Sequence, residues 1–287
     1  MSEKMNVPKS FVAKVMAVLA FAGLARNSCP QEVVARQAVA IGAADIGSVA
    51  AGISLASDNP AQLASIEALD MMVSYALPYG LKELAERQLR LGLGTPFGSV
   101  GGSFSVCGDD VSRFTAFGLQ YSRRFGVPVS VGFGYHIVTQ YIPYDIKSTT
   151  GFSSVGFQYS PVPECVVAFA LHNVEQSAFD YDHVEADCPS AAQFGVRWRL
   201  GCVSVLGEVE KRFDSDPVGK AALCVEPGGR LYASFGVSSA PLNISAGAGF
   251  AYGLLTVNAG VSYHRQLGVT SGVSFAVCGI FNQKPAE

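Results

Sequence analysis

Few residues in this chain have the types and spacing to do chemistry. Arg197 and Arg199 share one phase of an alternating stretch, and Glu208 and Glu210 share one phase of the next. If the chain turns back near Gly201, the four become cross-strand neighbours on one face of a hairpin. Two roles suit such a set: a structural network of ion pairs, or a polar constriction in a passage. Of the four histidines (His136, His172, His183, His264), three fall in the polar phase of strands or at a strand end. A hydrogen-bonding role inside the fold is expected for them. The run Asp180 to Asp187 (DYDHVEAD) offers oxygens to a divalent cation, but it has no EF-hand spacing and reads as a solvated acidic loop. The seven cysteines form no CxxC or zinc spacing, so no metal site is expected. There is no GxSxG, Walker loop or HExxH, and Gly92-Leu93-Gly94 lacks a third glycine. The expectation is a protein that is not an enzyme and carries no cofactor.

The elements that must hold these residues are strands. From Val127 to Tyr141, the odd positions are Val, Val, Val, Phe, Tyr, Ile, Thr and Tyr, and the even ones are mostly small or polar. Side chains of a strand alternate between two faces, so the two faces here are unlike. The alternation begins near Met71 and runs to Phe281, over roughly fourteen segments of about 8 to 14 residues, near the ~9–11 that cross a bilayer. Twelve strands result if the Leu89 or Ala221 segment is irregular. Strand charges fall almost only in the non-apolar phase (Arg90, Arg197, Arg199, Glu208, Glu210, Arg212), which is dominated by Gly, Ser and Ala.

Composition decides which face is outside. Of 287 residues, 49% are hydrophobic and 15% charged, against about 25% charged in soluble proteins. No apolar run reaches the ~18–20 residues of a spanning helix. A soluble barrel would coat its outside with Lys and Glu, and this chain has no such face. An oily outside and a small-residue inside define an all-β, antiparallel transmembrane β-barrel, which also leaves no open edge in lipid. The net charge of −3 gives no basic footprint for nucleic acid.

The N-terminus fits export. Lys4, Lys9 and Lys14 precede the apolar run Val15–Leu24, and Gly23 and Ala25 stand at −3 and −1 of a cleavage site after Ala25. A short buried helix is the alternative for this run. Cys29 lacks a lipobox before it. Expected divisions are a signal peptide 1–25, an N-terminal segment 26–69 able to plug the lumen, a barrel 70–281 and a tail 282–287. Within the second, Asn59 suits an N-cap, Pro60 the first turn and Gln62 position N3, which predicts a short helix to about Ala68. A second helical patch is expected over Leu81–Arg87. Export to an oxidising compartment leaves room for a disulfide at Cys188.

Three stretches carry a family resemblance. Asp58-Asn59-Pro60-Ala61 with Leu63 resembles the NPA-type segment of FadL-like barrels. Tyr232–Tyr252 (YASFGVSSAPLNISAGAGFAY) and Val261–Phe281, with Tyr263-His264 before Leu267-Gly268, are similar to the PorV/PorQ-type outer-membrane proteins of Bacteroidota. The resemblance implies the outer membrane of a Gram-negative bacterium and contact with its lipid. It implies binding at Asn59, Pro60 and Ala61 in the plug, beside the lumen set Arg197, Arg199, Glu208 and Glu210. The chain is short for a FadL-type transporter, which implies a small hatch and small loops. Three functions follow. The first expectation is a PorV-like partner of an envelope secretion or assembly system, such as type IX secretion. The alternative is a FadL-like channel for a hydrophobic ligand. A purely structural barrel, or a soluble exported β-protein, is the third.

Overall fold

The computed structural model describes residues 35–49, 55, 58–110, 112–126, 128–142, 146–180, 185–213 and 215–280. The export signal, Cys29, His183 and the tail 282–287 lie outside the described residues.

Fourteen antiparallel strands close into a barrel. In chain order they are β1 (Leu69–Leu77), β2 (Glu86–Thr95), β3 (Gly98–Gly108), β4 (Arg113–Phe125), β5 (Val129–Ile142), β6 (Ile146–Val162) and β7 (Cys165–His172), followed after a loop by β10 (Ala191–Leu200), β11 (Val203–Arg212), β12 (Val218–Val225), β13 (Leu231–Ser239), β14 (Leu242–Tyr252), β15 (Leu255–His264) and β16 (Gly268–Val277). The loop between β7 and β10 holds a separate hairpin of β8 (Ala178–Asp180) and β9 (Glu185–Asp187). The first and last strands pair from Met71↔Val277 to Leu77↔Ser271, so no edge is left open. Both segments whose regularity was in question, around Leu89 and Ala221, are ladder strands with partners on each side.

The alternation sets the register, because a slip of one residue would turn every side chain to the opposite face. On β5, Phe133, Tyr135 and Ile137 are about half exposed, whereas His136 and Val138 between them are buried inside. The same holds around the wall, from Val73 and Tyr75 to Phe235 and Phe275. A contiguous apolar exterior of this size has lipid as its natural solvent. One rim has short turns, such as Pro96-Phe97 and Gly201-Cys202, and the other carries the β7–β10 loop.

Two local expectations change. The helix after Asn59 is a 3-10 helix, Pro60–Ser65, and stops before Ala68. Its continuation is taken by the wall: Ser99 Oγ donates to Ile66 O at 3.2 Å, and the backbone at Ile66 and Glu67 lies against Gly94. The Leu81–Arg87 patch is a single 3-10 turn, Lys82–Leu84, and Glu86 and Arg87 already belong to β2. Pairing with β3 outcompetes helix there, with Glu86 opposite Cys107 and Arg87 opposite Val106.

Candidate functional site

The described residues from Ala35 to β1 lie in the lumen. A short helix, α1 (Ala38–Gly42), lies against β13 to β16, and the 3-10 helix lies against β2 to β6 on the other side. Ala38, Ile41, Ser48 and Ala61 have no exposed surface. Small residues let this segment sit so close. Ten glycines on nine strands of the wall meet it where a Cβ would stand. At Gly132 that Cβ would strike the backbone of Pro60 and Ala61, at Gly156 Asn59 Oδ1, at Gly195 Ser48 Oγ, and at Gly260 Ala38 O. Two outward glycines, Gly102 and Gly207, have nothing within 4 Å. The glycine-rich inner phase is therefore a fitted bed for one particular backbone.

Asn59 fixes the centre of that segment. Its Oδ1 accepts from Ala61 N at 2.9 Å, capping the 3-10 helix. Its Nδ2 faces Ser48 O at 3.2 Å and the carbonyls of Phe157 on β6 and Phe169 on β7 at 3.4 and 3.5 Å. Ser122 Oγ donates to Ala61 O at 3.1 Å. Asn59, Pro60 and Ala61 thus tie the inner segment to three adjoining parts of the wall.

Buried charges hold the other half. Glu208 Oε2 accepts from Gly47 N (3.0 Å), Ser48 N (2.7 Å) and Ser48 Oγ (2.6 Å), while its Oε1 accepts from Lys220 Nζ at 2.9 Å. The same Nζ donates to Glu210 Oε2 at 2.7 Å and to Asp45 O at 2.6 Å. Arg212 Nε completes the set on Glu210 Oε1 at 2.8 Å. On the opposite wall, Arg90 donates to Asp58 Oδ1 (2.6 Å) and Leu55 O (3.1 Å). Arg36 pairs with Glu86 at 3.2 Å and with Asp45 at 3.6 Å. Charges this deep persist only when paired and hydrogen-bonded.

The pairing expected between Arg197/Arg199 and Glu208/Glu210 does not form. The hairpin at Gly201 exists, but its register sets Arg197 opposite Leu206 and Arg199 opposite Ser204. Glu208 and Glu210 face Gly195 and Gln193 on that strand, and Lys220 and Val218 on β12. A tight turn makes residues equidistant from it into partners, and the arginines stand closer to Gly201 than the glutamates do. The cation that sequence reasoning missed is Lys220, which shares the inner phase with Ala222 and Cys224. A lone lysine in that phase was the available signal. Arg36 and Asp45 had none, since the Ala/Gly-rich stretch around them (residues 35–56) has no period, and Asp58 stood out only as the first residue of the Asp58-Asn59-Pro60-Ala61 element.

His136 stacks on Phe152 at 5.0 Å and lies 3.3 Å from Ser154 Oγ. His264 Nδ1 accepts from Gln266 N and Leu267 N, both at 3.1 Å, so the Tyr-His…Leu-Gly element is a self-capped turn between β15 and β16. Cys188 is a buried free thiol. Among the described residues, no three His, Cys, Asp or Glu side chains converge as metal donors.

Between the inner segment and the long-loop rim lies a cavity of about 150 Å³. Ala35, Ala40, Phe152, Pro189 and Ala191 line it beside Gln37, His172 and the charged pairs, and its open surface is more apolar than polar. Cys188 and Pro189 of the β7–β10 loop line it, and in the same loop Phe179 stands edge-on to Phe114 at 6.1 Å.

No family model matches this chain. No curated protein sequence matches it either. Solved structures do. The monoaromatic hydrocarbon channel CymD has a TM-score of 0.65 at 12% identity, over 87% of this chain and 99% of that one. The Pseudomonas putida toluene transporter TodX scores 0.64 at 9% identity, over 86% and 99%. A Pseudomonas aeruginosa FadL homologue scores 0.55 at 14% identity, over 89% and 98%. At such identities the likeness establishes the fold alone: a closed antiparallel β-barrel.

Proposed function

We propose that this chain is an outer-membrane channel that takes up a small hydrophobic molecule through a barrel plugged by its own N-terminal segment. The observation that carries this reading is the cavity of about 150 Å³ against that segment, on the long-loop side, with a mainly apolar open surface. Every charge lining it is turned into an ion pair or a backbone contact, which leaves Phe152, the alanines, the uncharged amides of Gln37 and Gln193 and the imidazole of His172 to meet a ligand. The neighbours named above support the same class, since their names describe hydrocarbon and toluene carriers. They support it better than the secretion-partner reading, which no contact among the described residues favours, and they speak for a transport role over an enzyme.

In this reading, Asn59, Pro60, Ala61, Glu208 and Glu210 position the plug. Arg197 and Arg199 line the lumen on the short-turn side, below the plug. The short turns face the periplasm and the long loops face outward, as in bacterial barrels generally. The protein reaches the outer membrane of a Gram-negative bacterium after cleavage behind Ala25, so the mature chain begins at Arg26. N-terminal sequencing of membrane-extracted protein tests that step.

Toluene uptake by cells with and without the gene tests the function. Deletion lowers uptake, and Ala191→Phe, which fills the cavity, fails to restore it while still inserting. Equal uptake in all three strains overturns the channel reading.

A further inference from the structure

The outer face of β4, β5 and β6 carries a charge pattern that passage through the lumen does not use. Ladder register places Arg113, Tyr141 and Lys147 in one row across the three strands, all in the outward phase. The Arg113 guanidinium stands 5.0 Å from the centre of the Tyr141 ring, and Lys147 Nζ stands 5.4 Å from the same centre. Two cations thus share one aromatic ring. Among the described residues neither makes an ion pair, and Arg113 Nε is buried without a hydrogen-bond partner. Asp145, two residues before Lys147, lies outside the described residues, and Asp109 and Asp110 belong to the β3–β4 turn, where Asp109 Oδ1 accepts from Ser112 N at 3.0 Å. Arg87 emerges on the same outer face, exposed, two strands away and one row lower, at the level of Thr115.

The height of this row identifies what it meets. The next outward row is Thr115, Thr139 and Thr149, and below it Phe117 and Ile137 begin the apolar band. Two residues of a strand tilted by 35–45° climb roughly 5 Å. The cationic row therefore stands roughly 10 Å above the last apolar row, where the hydrocarbon has ended and headgroups begin. Tyrosine is at home at that level, and outward cations cost little there. Two cations around a phenol, neither paired with a described residue, present N–H and O–H donors together, a set suited to a phosphate.

We propose that Arg113, Tyr141 and Lys147 bind the phosphate of a phosphorylated lipid headgroup in the leaflet at the long-loop rim, fixing one lipid against β4–β6. The inference rests on the outer-membrane reading, but not on any substrate of the lumen.

The full chain in detergent, titrated with diphosphorylated lipid A and read by native mass spectrometry, tests it. Wild type retains the lipid, and Arg113→Gln/Lys147→Gln weakens binding about tenfold or more, the scale of losing charge-assisted contacts. The exchange Arg113→Lys/Lys147→Arg keeps most of the affinity, and Arg123→Gln, at the opposite rim, changes nothing. Lipid A stripped of its phosphates binds wild type as weakly as the intact lipid binds the double variant. That comparison needs no variant to fold. Equal affinity of wild type and the double-Gln variant overturns the proposal. So does equal affinity for the stripped lipid, or displacement by equimolar inorganic phosphate. Failure of the underlying membrane reading shows separately, as extraction of the chain without detergent.

Discussion

The wall and the segment inside it make opposite demands on the same alternating strands. Outward positions need only be oily: Val73, Phe104, Leu119, Tyr135 and Ile244 differ in shape and serve alike, because lipid conforms to whatever meets it. Inward positions are matched atom by atom. Gly156 is glycine because Asn59 Oδ1 occupies the place of its Cβ, and Glu208 is a carboxylate because two backbone N–H groups point at it. A liquid partner tolerates substitution, and a folded one does not.

The largest break in that contrast comes from filling the bed. Gly132→Val/Gly156→Val drives side chains into the Pro60–Ala61 backbone, and each such clash costs about 1–3 kcal/mol even where neighbours can yield. Backbone cannot yield, so the segment leaves its seat while the barrel still closes. The expected readouts are protease cleavage within residues 35–68 and a rise in ion conductance in planar bilayers. Gly102→Val/Gly207→Val, on the outside, leaves both unchanged.

Next comes Lys220→Met, which leaves Glu208 a buried anion with no cation and Glu210 with Arg212 alone; breaking such a pair costs about 3–5 kcal/mol. The urea midpoint of the folded barrel falls accordingly. Lys211→Met sits nine residues earlier on the outer face and stays within about 0.5 kcal/mol of wild type. A comparable midpoint for both would mean that the inner charges are hydrated. Phe133→Arg, placed in the apolar band, costs about 2–4 kcal/mol in lipid, and Phe133→Leu costs far less. Refolding equilibria in vesicles separate the two. Asn59→Ala removes a cap and its links to β6 and β7, for about 1 kcal/mol, and shows as faster amide exchange at Ala61.

Fold and site were unequally legible. Period-two patterning is a property of each strand alone, so Val127–Tyr141 announces its two faces without knowledge of any partner. The fourteen-strand closure follows from repeating that pattern between short turns. The lumen contacts depend on register between distant segments. Arg197 and Glu208 look paired until the Gly201 turn is counted residue by residue, and Lys220 looks incidental until β12 is laid beside β11. The inner segment is least legible: its alanines and glycines have no period, and their meaning lies in the wall they touch. Asn59 was readable because a cap followed by proline is a local signal.

The smallest effect concerns the loop lining the cavity, and it changes reactivity without changing stability. Burial pushes the Cys188 thiol up to about 12, whereas Cys202, in the β10–β11 turn, is exposed. The thiolate is the reactive form. A raised value keeps Cys188 protonated until the pH approaches it, so between pH 7 and 9 Cys188 stays nearly inert to maleimide while the exposed Cys202 is open to the reagent. Denaturation in hot detergent makes the two alike. If Cys188 labels as fast as Cys202 in the folded barrel, the β7–β10 loop is not seated against the cavity, and the long-loop rim is open where the inner segment's other contacts would have it closed.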